Sequence, residues 1–317
     1  MRSASTILKS DEALSEHSNY KIGGQAKYFC RAETIPEIIS CARLAAEYGM
    51  PTFILGGGTN VLFSDQGTEK FVIHIANETI GHEDLVTLRV GAGVPMRALV
   101  AYAADRGLSG LEWAGGLPGT LGGAIRGNAG AFGGEVKDSV ARVISFDTWE
   151  SQQPIIERTN AQCRFGYRAS IFKEMKGREI ILEAVLRLKR GDVDTIREEI
   201  DSHIAYRKER HPIEFPNIGS IFKNIPADSV SAGVKQEFQM LIKNDPFPVI
   251  PVACFIAGAQ LKGVRRGGAM VSPKHPNFIV NFHEASCYDV KELISLVKKA
   301  VMEKYGVELH EEIEYAG

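Results

Sequence analysis

The chain has 317 residues, of which 44% are hydrophobic and 24% charged, and its 37 Lys and Arg against 39 Asp and Glu leave a formal net charge of −2. That balance excludes intrinsic disorder, which needs low hydrophobicity and high net charge, and it makes the chain a poor candidate for broad binding to a phosphate backbone, which needs a basic face. At roughly 150 residues per domain the length suggests about two domains. Five cysteines, Cys30, Cys41, Cys163, Cys254 and Cys287, form no C-x-x-C pair. An odd, scattered set argues against a disulfide framework or a zinc site and for a reducing compartment. The first ten residues lack the apolar core of a secretion signal, and no uncharged apolar run reaches 18 residues. The expectation is a soluble cytoplasmic protein with no metal, membrane or nucleic-acid partner.

The first third alternates helix and strand. Thr34-x-x-Glu37 is a capping box, and Ile38, Ile39, Ala42 and Ala45 share a face, which predicts a helix stopped by Gly49. Pro51–Leu55 reads as a short strand running into Gly56-Gly57-Gly58-Thr59-Asn60. Phe71–Ile75 and Val86–Val90 read as further strands, and Met96, Leu99, Val100 and Ala103 predict a helix ended by Gly107. A glycine-rich stretch from Gly107 to Gly134 reads as loops punctuated by Leu, Trp, Pro and Phe. Strands follow at Ala141–Phe146 and Ile180–Leu188, then a helix over about 193–207 from the recurrence of Ile196, Ile200 and Ile204. It ends in the basic cluster Arg207, Lys208 and Arg210, where a domain boundary is expected. Ser286-x-x-Asp289 caps a last helix striped by Val290, Leu293, Ile294, Val297 and Val301 and ended by Gly306.

Two glycine clusters carry the first functional signal. A strand that opens into Gly56-Gly57-Gly58-Thr59-Asn60 offers backbone N–H groups for an anion nest, with a hydroxyl and an amide beside them. It is not a P-loop, because no Gly-Lys-Ser/Thr follows, and Gly91-Ala-Gly93 lacks the third glycine of the dinucleotide fingerprint. The second cluster, Gly115-Gly-Leu-Pro-Gly119-Thr120-Leu-Gly122-Gly123, precedes Asn128-Ala-Gly130. Two such loops fit an extended, diphosphate-bearing ligand; the alternative is a series of tight turns. By themselves Arg168 reads as a surface charge able to clamp a carboxylate, Ser220 as a turn residue and Glu312 as a solvated charge. The residues alone therefore lead to an α/β protein with an extended phosphate-bearing cofactor, and no further.

The motifs in their order resemble the MurB family of UDP-N-acetylenolpyruvoylglucosamine reductases. Tyr20-Lys-Ile-Gly-Gly24 resembles that family's opening strand, and Ile54–Asn60 its first FAD loop. Residues 107–112, 116–123 and 128–135 resemble its second. Phe165-Gly-Tyr167-Arg168, Gly219-Ser220-Ile-Phe-Lys-Asn224, Leu261-Lys262-Gly263, Gly267-Gly268 and Gly306-Val-Glu-Leu-His-Glu-Glu312 complete the set.

The resemblance implies an α+β fold: a two-lobed FAD-binding domain of the vanillyl-alcohol-oxidase (PCMH) type plus a separate α/β substrate-binding domain. The lobes are expected at 1–75 and 76–206, the substrate domain at 207–303, and a segment 304–317 returning to the active site. It implies NADPH-dependent, FAD-mediated reduction of UDP-N-acetylglucosamine enolpyruvate to UDP-N-acetylmuramate in peptidoglycan synthesis, by a monomer. Ser220 matches the proton donor, Arg168 and Glu312 its catalytic partners. Gly56, Gly57, Gly58, Thr59, Asn60, Gly115, Gly119, Thr120, Gly122, Gly123 and Asn128 match cofactor-binding positions. Tyr167, Arg168, Lys208, Asn224 and Lys262 match substrate-binding ones. Gln25, Ile225, Met270 and Glu314 depart from the family pattern, the last by a charge reversal where arginine is common. No tyrosine-bearing insertion stands between Arg190 and Arg207, as in the subclass without the loop that covers the substrate. Another FAD oxidase or dehydrogenase of the same fold, or a non-catalytic FAD-binding paralogue, is the alternative.

Overall fold

The structure, a computed structural model, describes residues 7–150, 152–245 and 247–317. Residues 1–6, most of the stretch read for a secretion signal, lie outside the described residues. Packing divides the chain into two units. Unit 1 contains Ala26–Gly57 and Glu69–Tyr206; unit 2 contains Ala13–Gln25, Gly58–Thr68 and Arg207–Gly317.

In unit 1 a first sheet forms from β1 (Gln25–Ala32), β2 (Thr52–Leu55) and β3 (Thr68–Ile75). β3 lies between β1 and β2 and runs parallel to β2, with Phe53 opposite Val72. Helix α1 (Ile35–Glu47) starts where the sequence predicts, because the Thr34 hydroxyl accepts the Glu37 N–H at 3.3 Å. Its apolar stripe, Ile38, Cys41, Ala42 and Ala45, shares a buried cluster with Phe71, Ile73 and Ile75 of β3. Each fully buried side chain of the larger sort contributes roughly 1.5–3 kcal/mol.

The second sheet of unit 1 comprises β4 (Ile80–His82), β5 (Thr87–Gly91), β6 (Val140–Asp147), β7 (Ile155–Thr159) and β8 (Glu179–Arg187). Its order is β7-β6-β8-β5-β4, antiparallel throughout, with Val143 opposite Ala184 and Ala184 opposite Val90. Helix α2 (Met96–Ala104) buries Met96, Leu99, Val100 and Ala103 in the same core. Helix α4 (Val193–Arg210) continues three residues beyond the expected end.

The glycine-rich stretch holds more regular structure than its composition suggests. Leu121–Gly127 is helix α3, so Gly122 and Gly123 lie in a first turn rather than a loop. Glycine opposes helix formation, but Leu121, Ala124 and Ile125 are buried and Asn128 ends the helix in a left-handed conformation. A second correction concerns Tyr20–Gly24. It is not a strand; Lys21 has φ +57°, and the strand begins at Gln25.

Unit 2 is built around helix α6 (Cys287–Tyr305), whose capping box Ser286/Asp289 and left-handed Gly306 stand where the sequence predicts. Its stripe packs with Phe222, Phe255, Ile279 and Leu309. Ala269–Val271 pairs with Ile279–Asn281, and Glu314–Ala316 pairs in parallel with Val61–Phe63. Tyr20, fully buried, donates its hydroxyl to the Ile279 carbonyl at 2.7 Å, while the Asn281 amide returns a bond to the Tyr20 carbonyl at 3.0 Å.

Candidate active site

The two glycine clusters, about sixty residues apart in sequence, meet backbone to backbone in unit 1. A Cβ on Gly57 would lie 2.9 Å from the Gly119 Cα, and one on Gly56 would lie 2.7 Å from the Thr120 hydroxyl oxygen. No side chain fits between them. The second loop is anchored from behind: the Met96 N–H donates to the Gly119 carbonyl, and the Leu121 and Gly122 N–H groups donate to Val94 and Ala92, all at 2.9 Å. Thr120 is buried, and among the described residues its hydroxyl oxygen has no hydrogen-bond partner. Burying an unsatisfied hydroxyl is costly, so this atom points to a ligand that completes it.

Several of the predicted glycines have packing reasons of their own. A Cβ on Gly115 would lie 2.8 Å from the Ile200 carbonyl oxygen, one on Gly122 2.9 Å from the Ala92 Cβ, and one on Gly58 2.0 Å from the His17 carbonyl oxygen. Asn128 is fully buried and its side chain is used within the protein. Its amide donates to the Gly166 carbonyl at 3.0 Å and to Glu135 at 3.3 Å, and its oxygen accepts the Lys137 N–H at 3.3 Å. It shapes the loops.

That Asn128 bond fixes the turn carrying Tyr167 and Arg168. Gly166 and Ala169 exchange both backbone hydrogen bonds, at 3.0 and 3.1 Å, so the two residues form the tip of a tight turn. Arg168 has φ +53°, uncommon for a long side chain. Its Nη2 donates to the Gly130 carbonyl at 3.1 Å, and its guanidinium carbon lies 5.5 Å from the Tyr167 ring centroid.

In unit 2, Ser220 stands on a segment held from both sides. On one side the Ile221 N–H donates to the Asn277 carbonyl at 2.8 Å, the Phe222 N–H to the Asn277 side-chain oxygen at 3.0 Å, and the Asn277 amide to the Phe222 carbonyl at 2.8 Å. On the other, Lys223 donates to His310 at 2.9 Å and Glu312 to Ile221 at 2.8 Å. Ser220 and Glu312, 92 positions apart (312 − 220), are thereby brought to neighbouring places on one antiparallel bridge. Asn60 joins them: its amide donates to the Glu312 carbonyl at 3.2 Å, and its own carbonyl accepts the Glu314 N–H at 3.0 Å. The adjacent Glu311 is committed elsewhere. Burial pushes its carboxyl up, but hydrogen bonds from Lys298 and Tyr315 and the lysine's charge outweigh that and hold it below the usual carboxylate range.

Of the predicted substrate residues, Asn224 caps helix α5 (Val252–Gly258), accepting the Val252 N–H at 3.2 Å. Lys208 and Lys262 are exposed, and the Lys208 carbonyl accepts Lys274 Nζ at 2.8 Å. His211 and His275 stand among these cations. Burial first, then neighbouring charges (His275, Arg207 and Lys274 for His211, Lys243 and Lys262 for His275), pushes both down to about 4. Glu314 lies opposite Val61 in the parallel pair, and Ile225, buried, lies opposite Ile250. Sequence reading missed Asn277, although the turn Pro273-Lys-His-Pro276 ahead of a strand marks its place. Among the described residues no group of three or more His, Cys, Asp or Glu could hold a metal ion.

Residues 211–316 match the family "UDP-N-acetylenolpyruvoylglucosamine reductase, C-terminal domain", and residues 26–149 match "FAD binding domain". The reductase of Caldanaerobacter subterraneus subsp. tengcongensis is 35% identical over 97% of this chain and 93% of its own length. The chain belongs to the UDP-N-acetylenolpyruvoylglucosamine reductase family. The Fervidobacterium nodosum member is 36% identical over 96% of this chain and 90% of its own. The crystal structure of the Thermus caldophilus reductase (MurB) superposes with a TM-score of 0.73 at 30% identity, covering 96% of this chain and 97% of that one. The chain is thus an oxidoreductase of α+β fold with a PCMH-type FAD-binding domain, and its cofactors are those of the family, FAD and NADPH.

Proposed function

We propose that this chain reduces UDP-N-acetylglucosamine enolpyruvate to UDP-N-acetylmuramate in peptidoglycan synthesis, with NADPH as hydride source. Bound FAD would supply the hydride chemistry that links NADPH to the enol-ether double bond. The cradle at Gly56, Gly57, Gly119, Thr120 and Gly123 fits such a cofactor, since the paired glycine backbones leave no side chain in the way of a diphosphate and the buried Thr120 hydroxyl would find its missing partner there. Thr59 and Asn60 extend the first loop, while Gly58, Gly115, Gly122 and Asn128 hold the loops in shape.

The protein's own side chains then serve the substrate. Hydride addition leaves negative charge at Cα and on the carboxylate, which must be stabilised more than the ground state is. Arg168 presents a planar, permanently charged fork for that carboxylate, with Tyr167 beside it. Ser220 delivers the proton to Cα; a hydroxyl is a weak acid, but a carbanion-like centre is a strong enough base to take its proton. Glu312, protonated or sharing a proton, supports the developing anion from the neighbouring bridge position. Lys208, Lys262 and Asn224 take the diphosphate and sugar; Lys208 lies in the basic cluster that Lys274 extends. The expected lobes 1–75 and 76–206 hold FAD, 207–303 binds substrate, and 304–317 brings Glu312 to its place.

The observation that carries this reading is the antiparallel bridge of Phe222 with Glu311, which holds the backbones of Ser220 and Glu312 at neighbouring positions. We also place the protein in the cytoplasm as a monomer; among the described residues no helix is long and apolar enough to cross a membrane. The test is the visible spectrum of the purified holoprotein under anaerobic conditions. NADPH should bleach the flavin band, and UDP-N-acetylglucosamine enolpyruvate should restore it. A band that oxygen restores rapidly, and the substrate does not, would identify an oxidase instead.

A further inference from the structure

Phe132 stands at the tip of a hairpin in which Gly130 faces Glu135 and Ala131 faces Gly134. The two tip residues, Phe132 and Gly133, have φ +52° and +83°. Left-handed φ at both tip positions is the type I′ signature, a turn in which glycine, asparagine or aspartate sits easily and a bulky aromatic does not. A phenylalanine standing there against its backbone preference points to a use for its ring.

That use is visible. The ring lies flat on His203 of α4, with centroids 4.0 Å apart and planes at 13°, and meets Tyr206 edge-on at 5.3 Å. The platform is itself fixed. His203 Nδ1 donates to the Glu112 carbonyl at 2.8 Å, which sets the plane of the imidazole. The missing Cβ at Gly115 lets the α4 backbone come close enough to make that bond. The other end of the same hairpin meets the turn at Tyr167 and Arg168. The Gly130 carbonyl accepts Arg168 Nη2 at 3.1 Å, and Asn128 bonds both Glu135 of the hairpin and Gly166 of the turn.

We infer that Phe132 is a positioning residue for Arg168: its stack on His203 clamps the hairpin to α4, and the clamped Gly130 carbonyl sets the direction of the guanidinium. The inference rests on the carboxylate-binding role proposed above for Arg168. A guanidinium that swings by about 1 Å loses its two-pronged alignment with a carboxylate, and misplacement of that size from a distant change can cost on the order of 100-fold.

The experiment compares Phe132→Gly, Phe132→Tyr and Arg168→Lys in the FAD-loaded enzyme, with the two half-reactions timed separately. Glycine accepts the left-handed tip, so Phe132→Gly should keep its thermal stability, its flavin spectrum and its reduction by NADPH. Reoxidation by UDP-N-acetylglucosamine enolpyruvate should slow by about 10- to 100-fold. Phe132→Tyr keeps the stacked ring and should recover most of that rate. In an Arg168→Lys background the further change Phe132→Gly should cost little, because its effect passes through the guanidinium. Undiminished reoxidation in Phe132→Gly, alongside a slow Arg168→Lys, would overturn the positioning role and leave that of Arg168 standing. Near-normal reoxidation in Arg168→Lys would remove the proposed role of Arg168 and this inference with it. Fully additive losses in the double variant would show that Phe132 does not act through Arg168.

Discussion

The Arg168 turn and the Ser220 segment are both rigid, but they are made rigid in different ways. Arg168, itself at a left-handed φ, sits on a two-residue tip, and its side chain donates to the Gly130 carbonyl. Ser220 sits on a segment gripped through its backbone by Asn277 on one side and residues 310–312 on the other. A charged fork can be aimed by its side chain, because five N–H donors leave some for the substrate. A serine has one short arm, so its aim is set by where its Cα is fixed. Changes near Arg168 should therefore alter catalysis first, and changes around Ser220's clamp should alter stability and catalysis together.

The largest expected effect tests the hydroxyl itself. Ser220→Ala should leave flavin reduction by NADPH intact and slow reoxidation by substrate by about 10²–10⁴-fold in stopped-flow measurements. Ordinary turnover in that variant would take the proton-donor role from Ser220. Arg168→Lys keeps the charge and loses the fork, and its turnover should fall well below wild type while its melting temperature does not move; near-wild-type turnover would reassign the carboxylate contact.

The surroundings of the clamp give a pH test. His211 and His275 titrate near 4 in the folded protein. The unfolded chain takes up protons at about 6.5. As pH falls through that interval the unfolded state binds protons that the folded state refuses. Stability is therefore fully present above about 6.5 and declines toward pH 4, by up to a few kcal/mol for the pair. Denaturant titration of His275→Gln should show a shallower decline, and an unchanged slope would place the loss elsewhere.

Asn277→Ala breaks the clamp directly. It strands the buried N–H and carbonyl of Phe222, so unfolding free energy should fall by about 2–3 kcal/mol, with slower reoxidation as well. Full activity after such a loss would separate the clamp from catalysis. The smallest effect is expected at Thr120→Val, which should weaken FAD binding by roughly tenfold, one hydrogen bond's worth, without lowering the stability of the apoprotein. Equal FAD affinity would remove Thr120 from the cradle.

Much of the fold was legible because its signals are local. Thr34 and Ser286 cap α1 and α6, and left-handed Gly306 ends α6, all within one turn of the residues they serve. The missed helix α3 has the opposite character, since three of its seven residues are glycine and only the burial of Leu121, Ala124 and Ile125 makes it a helix. At the site, the meeting of the Gly56-Gly57 and Gly119-Thr120 clusters was suggested by composition, but its backbone contact depends on how β2 and the segment before α2 are placed. The grip of Asn277 on Ser220 was not legible, because hydrogen bonds from residue 277 to residues 221 and 222 leave no mark on either stretch alone. Asn60 was read with the first glycine loop, yet its amide serves the Glu312 backbone.

The strand pair Val61–Phe63 and Glu314–Ala316 joins positions 253 apart (314 − 61), and the whole of Glu69–Tyr206 lies between them in sequence. Closing so long a loop is entropically unfavourable while the intervening chain is flexible. Once unit 1 has folded on its own core, that interval is a compact body rather than a coil, and the ends to be joined sample far less space. The interruption of unit 2 by unit 1 thus imposes an order on folding. The glycine cradle can form early from contacts within unit 1, while the parallel pair of unit 2 waits for a strand that emerges from the ribosome some 250 residues after its partner.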